Sequence, residues 1–468
     1  MKRAYFFIFY IFSSINGISQ SIDSYINEGL SNSYEIRLAK SKLRLAELEY
    51  RNIQLSNRPS LLVAGNAPVY NKDNYGITQP DGTIKFLRRS QNYSNIGFSF
   101  LQPLPFTGGN ISLNTDLYRF DDFVSKSKQY NGTPIFLQIQ QPLFAYNKYK
   151  WDKLIESLKL QEANKNHSFR INQIKYEVCT AYFDVIEAQT NKQLAKTNLE
   201  NNKVNLTNEI RKVQLGTSTE DKVLQLEILL LNSQHEIESS EMRIKTAFTN
   251  LNLIVNKSDT LSPELKIPEI LPTLQLNKDQ LIEEFLRQSP VHLSFQIKLL
   301  EAQSNTSRVK SQTNNINITA SYGLTNSALT IPSIYQNPYD QQRFNISFSI
   351  PLLTWGKKKN SILTAKLNEK NIEISSQAEK AKIITEITSI ISEIPLLKRN
   401  VLSTLRIDTL SEKRFLIINR LYISGKASLL ELQGAQVEKD SARKNYIIAL
   451  RKFWESWYLL HLKLNSDE

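Results

Sequence analysis

Gln141-Pro142-Leu143-Phe144 closes one alternating apolar stretch, and Ile350-Pro351-Leu352-Leu353 closes another. Pro142 lies 74 positions before Gly216, and Pro351 lies 74 positions before Gly425. Each proline is followed by a long run almost free of helix breakers, and each glycine by a second, shorter run. A strand that becomes a long helix and folds back at a glycine is therefore encoded twice. A repeat of this size decides the architecture before any single element does.

The repeat extends upstream. Residues 22–57 read as a helix ending before Pro59, and residues 278–313 read the same way after Asn277, a good N-cap. Leu30, Ser33 and Ala46 align with Leu286, Ser289 and Ala302 at an offset of 256, whereas the proline and glycine landmarks are offset by 209. The first repeat (20–256) thus holds 47 residues more than the second (278–468) between its opening helix and Pro142. The excess falls within about 66–130, rich in Tyr, Asn, Gly and Asp, and either extends a hairpin outward or forms surface loops. Between the repeats, 257–277 carries Pro263, Pro268 and Pro272 and reads as an irregular linker.

Each opening helix leads into alternating sequence. Ile316, Ile318, Ala320, Tyr322 and Leu324 alternate with Asn317, Thr319, Ser321 and Gly323, and Phe344, Ile346, Phe348 and Ile350 with Asn345, Ser347 and Ser349. In the first repeat Ile135, Leu137 and Ile139 form one such strand. Ile96, Phe98 and Phe100, then Ile111, Leu113 and Leu117 around Gly108-Gly109, form a hairpin. An apolar face backed by Asn, Ser, Thr and Gln suits a strand between lipid and a watery lumen. A half-buried strand of a soluble sandwich has the same period.

The N-terminus bears on this choice. Lys2 and Arg3, the apolar Ala4–Phe12 stretch and Gly17-Ile18-Ser19 read as a signal peptide over 1–19. No later stretch approaches the ~20 unbroken apolar residues of a transmembrane helix. Together these favour an outer-membrane barrel.

Residues 148–213 form a run that, at ~1.5 Å per residue, spans about 100 Å. Ile171, Ile174, Val178, Ala181, Val185 and Ala188 recur at the 3–4 spacing of a coiled-coil seam. Residues 357–423 match that run in length, and 219–256 and 427–465 complete the hairpins. Each long helix needs two short ones laid end to end beside it, which puts the linker at the waist as a belt. Ala442, Tyr446, Ala449, Phe453 and Trp457 read as a core stripe.

Composition narrows the function. The net charge of +13 is spread among 45 acidic residues, the pattern of a solvated helical surface and not of a nucleic-acid patch. The lone Cys179 excludes an internal disulfide. His167, His235, His292 and His461 have no metal-ligand spacing, and neither a phosphate loop nor a nucleophile motif appears. The sequence points to no enzyme and no cofactor.

Over essentially the whole mature chain the sequence resembles the TolC-like outer membrane efflux proteins. The resemblance rests on Gln141–Phe144, on Ile350-Pro351-Leu352-Leu353-Thr354-Trp355-Gly356, on Arg420-Leu421-Tyr422-Ile423-Ser424-Gly425-Lys426-Ala427-Ser428, and on the duplication. It implies a mainly α chain contributing four strands to a β-barrel shared within a homotrimer, continued by a coiled-coil periplasmic tunnel. It implies work with a periplasmic adaptor and an ATP-driven or proton-driven inner-membrane pump, in efflux or type I secretion. Four strands cannot close a barrel alone, and open edges are not tolerated in lipid, which accounts for a trimer.

The resemblance also marks residues. A carboxylate about six positions after the second glycine rings the constriction, and Glu431 stands there; three copies close together would select cations and raise one another's pKa. The first-repeat position is Lys222, where an acid is usual. Glu220 and Asp221 replace it, or Lys222 pairs with Glu431 as a latch, or all four are solvated residues at helix N-termini, where the dipole favours acids. Tyr422 and Arg420 stand where the family holds neighbouring hairpins shut, and the Gly216 and Gly425 turns where it docks the adaptor. Pro142, Trp151, Pro351 and Trp355 mark the strand-to-helix joints, with Phe144, Tyr146 and Tyr149, and suit an aromatic girdle or ordinary joint packing. Lys85, Arg88 and Arg89 meet anionic outer-leaflet lipid or are a solvated loop. The competing class is an exported coiled-coil structural or adaptor protein without a pore. The sequence does not name a cargo.

Overall fold

The computed structural model describes residues 21–258, 262–273, 278–312 and 315–465; the leader read at 1–19, the cap at Asn277 and part of the linker lie outside the described residues. The two repeats match helix for helix. α1 (Ile22–Asn32) and α5 (Lys278–Gln288) have 11 residues each, and α2 (Tyr34–Leu55) and α6 (Pro290–Ser311) have 22 each. α3 (Lys148–Gln214) and α8 (Lys357–Ile423) have 67 each, and α4 (Glu220–Val255) and α9 (Leu429–Leu464) have 36 each. A four-residue turn of helix, α7 (Ile331–Ile334), completes the set among the described residues.

The opening helices are each broken once, where the sequence reads them as continuous. Ser33 adopts extended backbone (φ −61°, ψ 142°). Its N–H donates to the Gly29 carbonyl at 3.1 Å, ending α1, and its Oγ accepts from the Ile36 N–H at 3.2 Å, starting α2. In the second repeat the Ser289 N–H closes on the Phe285 carbonyl at 2.9 Å, and Pro290, which has no N–H to lose, opens α6.

Six strands form one antiparallel sheet in the order β1-β2-β3-β4-β5-β6: β1 (Ser60–Thr78), β2 (Ile84–Leu104), β3 (Gly109–Asp122), β4 (Ser127–Leu143), β5 (Asn315–Ala328) and β6 (Tyr339–Ser349). The expected four strands per chain are corrected to six. The 47-residue excess is neither an outward extension alone nor a loop. It is one more hairpin, β1–β2, which begins and ends at the helical side of the sheet. Gln102 Nε2 donates to the Asn57 carbonyl just past α2 at 3.1 Å, which holds that end. β1–β2 is also longer than its neighbours: Lys72–Thr78 pairs with Ile84–Ser90, whereas β3 pairs β2 only from Gln91 onward.

The register gives the sheet two unlike faces. Leu61, Phe100, Leu113, Leu137, Tyr322 and Gln342 follow one another across the strands, as do Val63, Phe98 and Thr115. Ile316 and Phe348, then Ile318 and Ile346, extend the same face at the far edge. The opposite face carries Asn66 and Asn95, Ser99 and Asn114, Gln138 and Ser321, Thr319 and Asn345. Pro68 and Pro134 fall within the shifts of register at Asn66/Val69 and Gly132/Ile135, where a missing N–H breaks no regular pairing.

The chain divides into two units. One comprises Leu43–Ala163 and Val291–Glu379 and contains the sheet. The other comprises the chain up to Lys42, Asn164–Pro290 and Lys380 onward, and its described residues are mainly helical. In the helical unit the α3 seam is buried from Ile174 through Val178, Ala181 and Val185 to Ala188, with Ile171 half-buried. Tyr182, Phe183, Leu251, Ile447 and Phe453 fill the same core, and the α9 stripe Ala442, Tyr446, Ala449 and Phe453 is buried as read from its spacing. The described part of the linker is strapped down by polar bonds. Tyr182 Oη donates to the Lys266 carbonyl at 2.7 Å, and Gln189 donates to the Pro263 carbonyl and accepts from the Leu265 N–H. Lys398 Nζ reaches Thr273 Oγ1 at 2.6 Å, one turn after Pro395, which has no N–H to give the helical ladder of α8.

Candidate functional site

The two hairpin tips use one backbone device. Past α3, Gly216 takes a left-handed conformation (φ +73°); its N–H donates to the Val213 carbonyl and the Thr217 N–H to the Lys212 carbonyl, both at 2.9 Å. Past α8, Gly425 (φ +77°) repeats the pair onto the Tyr422 carbonyl at 3.0 Å and, through the Lys426 N–H, onto the Leu421 carbonyl at 2.8 Å. This double bond ends a helix at a residue without a Cβ and turns the chain back sharply.

The side chains differ. At the second tip Ser428 and Glu431 form a capping box: Ser428 Oγ accepts from the Glu431 N–H at 3.2 Å, and the Glu431 carboxylate accepts from the Ser428 N–H at 2.7 Å and its hydroxyl at 2.8 Å. At the first tip Thr219 makes no side-chain cap bond, and the residue matching Glu431 is Lys222, half-buried. Glu220 and Asp221 are exposed there, Asp221 accepting from Gln225 Nε2 at 2.8 Å. Among the described residues no ion pair joins Lys222 to Glu431, whose Oε2 accepts both Ser428 bonds. The Ser428 bonds also hold the Glu431 carboxyl below the usual glutamate range. Within one chain this opposes the rise that three adjacent copies would impose.

What joins the tips is a carboxylate that the sequence reading does not single out. Glu209, one turn before the end of α3, is 2% exposed. Tyr422 Oη donates to Glu209 Oε2 at 2.7 Å, Ser218 Oγ donates to Oε1, and Lys212 Nζ lies 3.3 Å from Oε2. The Lys212 ammonium also sits over the Tyr422 ring, 4.7 Å from its centre. Around this knot Leu226, Phe415, Tyr422, Leu429, Leu432 and Ala435 close an apolar cluster drawn from both hairpins. Burial pushes the Glu209 carboxyl up, but the bonds from Ser218 and Tyr422 and the Lys212 charge outweigh it, and the net shift is downward. Burial first, then the bond to Glu209, pushes the Tyr422 phenol up.

A signal for Glu209 was present. Continuing the 3–4 spacing of the α3 seam past Ala188 leads to Asn202 and Glu209, so a carboxylate occupies a core position. Its surroundings are polar too: Asn198, Asn202 and Asn205 are buried on the same stretch. Asn202 Nδ2 donates to Ser233 Oγ at 3.2 Å, Asn205 Nδ2 to Asn419 Oδ1 at 3.4 Å, and the buried Lys439 ammonium to Asn198 Oδ1 at 3.2 Å.

Of the other marked residues, Arg420 is exposed in the last turn of α8, and no partner for it appears among the described residues. Pro142 lies in β4 opposite Asn317, and Pro351 follows β6, exposed. Trp355 (89% exposed) and Phe144 (84% exposed) stand out at the two joints, while Trp151 is half-buried. Asn147 caps α3 by accepting from the Lys150 N–H at 3.1 Å, and its amide donates to the Pro105 carbonyl at 2.7 Å. In the β1–β2 extension Arg89 bonds Asp73, which leaves Lys72, Lys85 and Arg88 as the cations there without an ion-pair partner among the described residues. No group of three His, Cys, Asp or Glu among the described residues is placed to hold a metal.

The structure is similar to solved outer-membrane proteins over nearly its full length. The outer-membrane channel OprN superposes with a TM-score of 0.69 at 15% identity, covering 95% of this chain and 89% of that one. The Campylobacter jejuni CmeC outer membrane channel gives 0.69 at 12% identity, covering 95% and 85%. The outer membrane protein VceC from Vibrio cholerae gives 0.67 at 13%, covering 95% and 96%. This chain has their fold. No family model matches the sequence, and no curated protein matches it.

Proposed function

We propose that this protein is a trimeric outer-membrane channel-tunnel, the passive exit duct of a tripartite efflux or type I secretion system, gated at its helical tips. The observation that carries the reading is the pairing, in one chain, of a sheet with one apolar and one polar face and duplicated hairpins whose tips are tied by Glu209 and Tyr422. A barrel built from such sheets places the apolar face in lipid and the polar face on water. The signal read at 1–19 supports export, with the helical part in the periplasm. Among the described residues no helix is long and apolar enough to cross a membrane.

In this reading the Glu209–Tyr422–Lys212 knot holds the two hairpins of one protomer together in the closed state. Arg420, exposed beside it, is available to the neighbouring protomer. Three copies of Glu431, with Glu220 and Asp221, line the constriction as an acidic ring, and the Ser428 bonds favour the charged form of each Glu431. Lys222 tempers the ring instead of latching it. The turns at Gly216 and Gly425 face the adaptor, which links the duct to an ATP-driven or proton-driven pump. The exposed apolar side chains of α4 and α9, among them Leu224, Ile228, Leu231, Leu430 and Val437, support assembly with further copies.

The test is reconstitution of the detergent-purified chain in planar bilayers. A trimer with cation-preferring single-channel conductance is expected. A water-soluble monomeric rod without conductance would instead support the exported coiled-coil alternative.

A further inference from the structure

We infer that the barrel of this protein has eighteen strands, closed by the β1 edge of one copy pairing antiparallel with the β6 edge of the next. The inference rests on the trimeric duct reading and adds to it the size of the barrel. Each chain supplies six strands in unbroken sequence order, so three copies supply eighteen.

Four observations identify a second copy of this chain as the occupant of each edge. β1 and β6 have no strand partner on their outer sides among the described residues, and an unpaired edge within lipid costs several kcal/mol for each unsatisfied backbone group. The two-faced pattern runs to both edges: Leu61 and Val63 share the apolar face at one end, Phe344, Ile346 and Phe348 at the other. Polar residues stand opposite them, Asn66 bonded to Asn95 at 3.1 Å near one edge and Arg343, Asn345 and Ser347 at the other. Direction also fits. β1 leaves α2 and runs away from the helices, β6 returns to α8, and an even number of strands per copy keeps every junction antiparallel.

The extra hairpin is a clean insertion. The helix offsets between repeats are 256 before the sheet and 209 after it, so all 47 extra residues lie in the strand region. β1 begins and β2 ends at the same side of the sheet, so removing residues 60–106, which is 47 residues, joins α2 to β3 much as α6 joins β5. A barrel's diameter grows roughly linearly with strand number, so eighteen strands enclose a bore about one and a half times as wide as twelve. Ser, Thr, Asn and Gln side chains line its inner face, so it would pass bulky hydrophilic cargo.

The experiment is electron cryomicroscopy of the full-length protein in detergent or nanodiscs, beside the variant lacking residues 60–106. Eighteen strands in the parent, and a barrel about two-thirds as wide with twelve strands in the variant, are expected. A trimer whose parent barrel has twelve strands, with β1–β2 folded outside the wall, would overturn the inference and leave the duct reading standing. A particle without a barrel would overturn both. Should the variant fail to fold, the strand count of the parent decides alone.

Discussion

The two hairpin tips share a backbone and divide their chemistry. The turn at Gly216 and the turn at Gly425 close with the same pair of bonds on helices of the same length. Yet the position that holds Glu209 in the first repeat holds Ile418 in the second, and the position that holds Tyr422 holds Val213 in the first. Each copy therefore supplies one half of the knot, and neither hairpin can make it alone. The cap is divided as well: Ser428 and Glu431 lock the start of α9, while Thr219 leaves the start of α4 uncapped by a side chain. Duplication fixes the scaffold, and divergence at a few matched positions makes the contact between copies.

The largest expected effect breaks the contact at its buried end. Glu209→Ala removes the acceptor of two hydroxyls and the partner of Lys212, a loss of about 3 kcal/mol for the closed tip. It should raise single-channel conductance several-fold, whereas Ile418→Ala at the matched position should leave the gate closed. Tyr422→Phe removes one donor to a charged acceptor, about 1.5–3 kcal/mol. Drug or dye leakage through cells expressing it should rise less than for Glu209→Ala.

Proton concentration sharpens the same comparison. The folded Glu209 pKa is depressed, so its contribution is present above the ordinary glutamate pKa and is lost as pH falls through the lower folded value. The knot should hold at neutral pH and release only once the pH falls below the ordinary glutamate range, read as a rise in conductance on acidification. Opening near neutral pH would mean that another group controls the tip.

The caps should separate the tips by a smaller amount. Ser428→Ala should destabilise the second tip by about 1 kcal/mol, and Thr219→Ala should cost far less, measured by hydrogen exchange in the first turns of α9 and α4. Smallest is the difference between Gly216→Ala and Gly425→Ala. Both residues have positive φ, so each substitution should cost about 1 kcal/mol and the two should match.

Much of this scaffold is legible in the sequence because helix length is written in breakers. The intervals between prolines and glycines give α3, α4, α8 and α9 to within a few residues. The 47-residue excess is legible as a number but not as structure, since Tyr–Asn–Gly–Asp sequence suits loops and exposed strands alike. The break at Ser33 is hidden because serine is tolerated inside helices, and only its bond to the Ile36 N–H makes it a cap; at the matched break Pro290 opens the new helix. Tyr422 is marked in the sequence through resemblance alone, and its bond to Glu209 cannot be read there. Glu209 escaped because its partner is 213 positions away, and a carboxylate on a long charged helix reads as solvated until its place in the seam is counted.

The most direct test of the central claim is a double-mutant cycle on single-channel conductance with Glu209→Gln, Tyr422→Phe and the two together. If the two residues act through one bond between the hairpins, the double variant should open no further than Glu209→Gln alone. Strictly additive opening, or unchanged conductance in all three, would contradict the account.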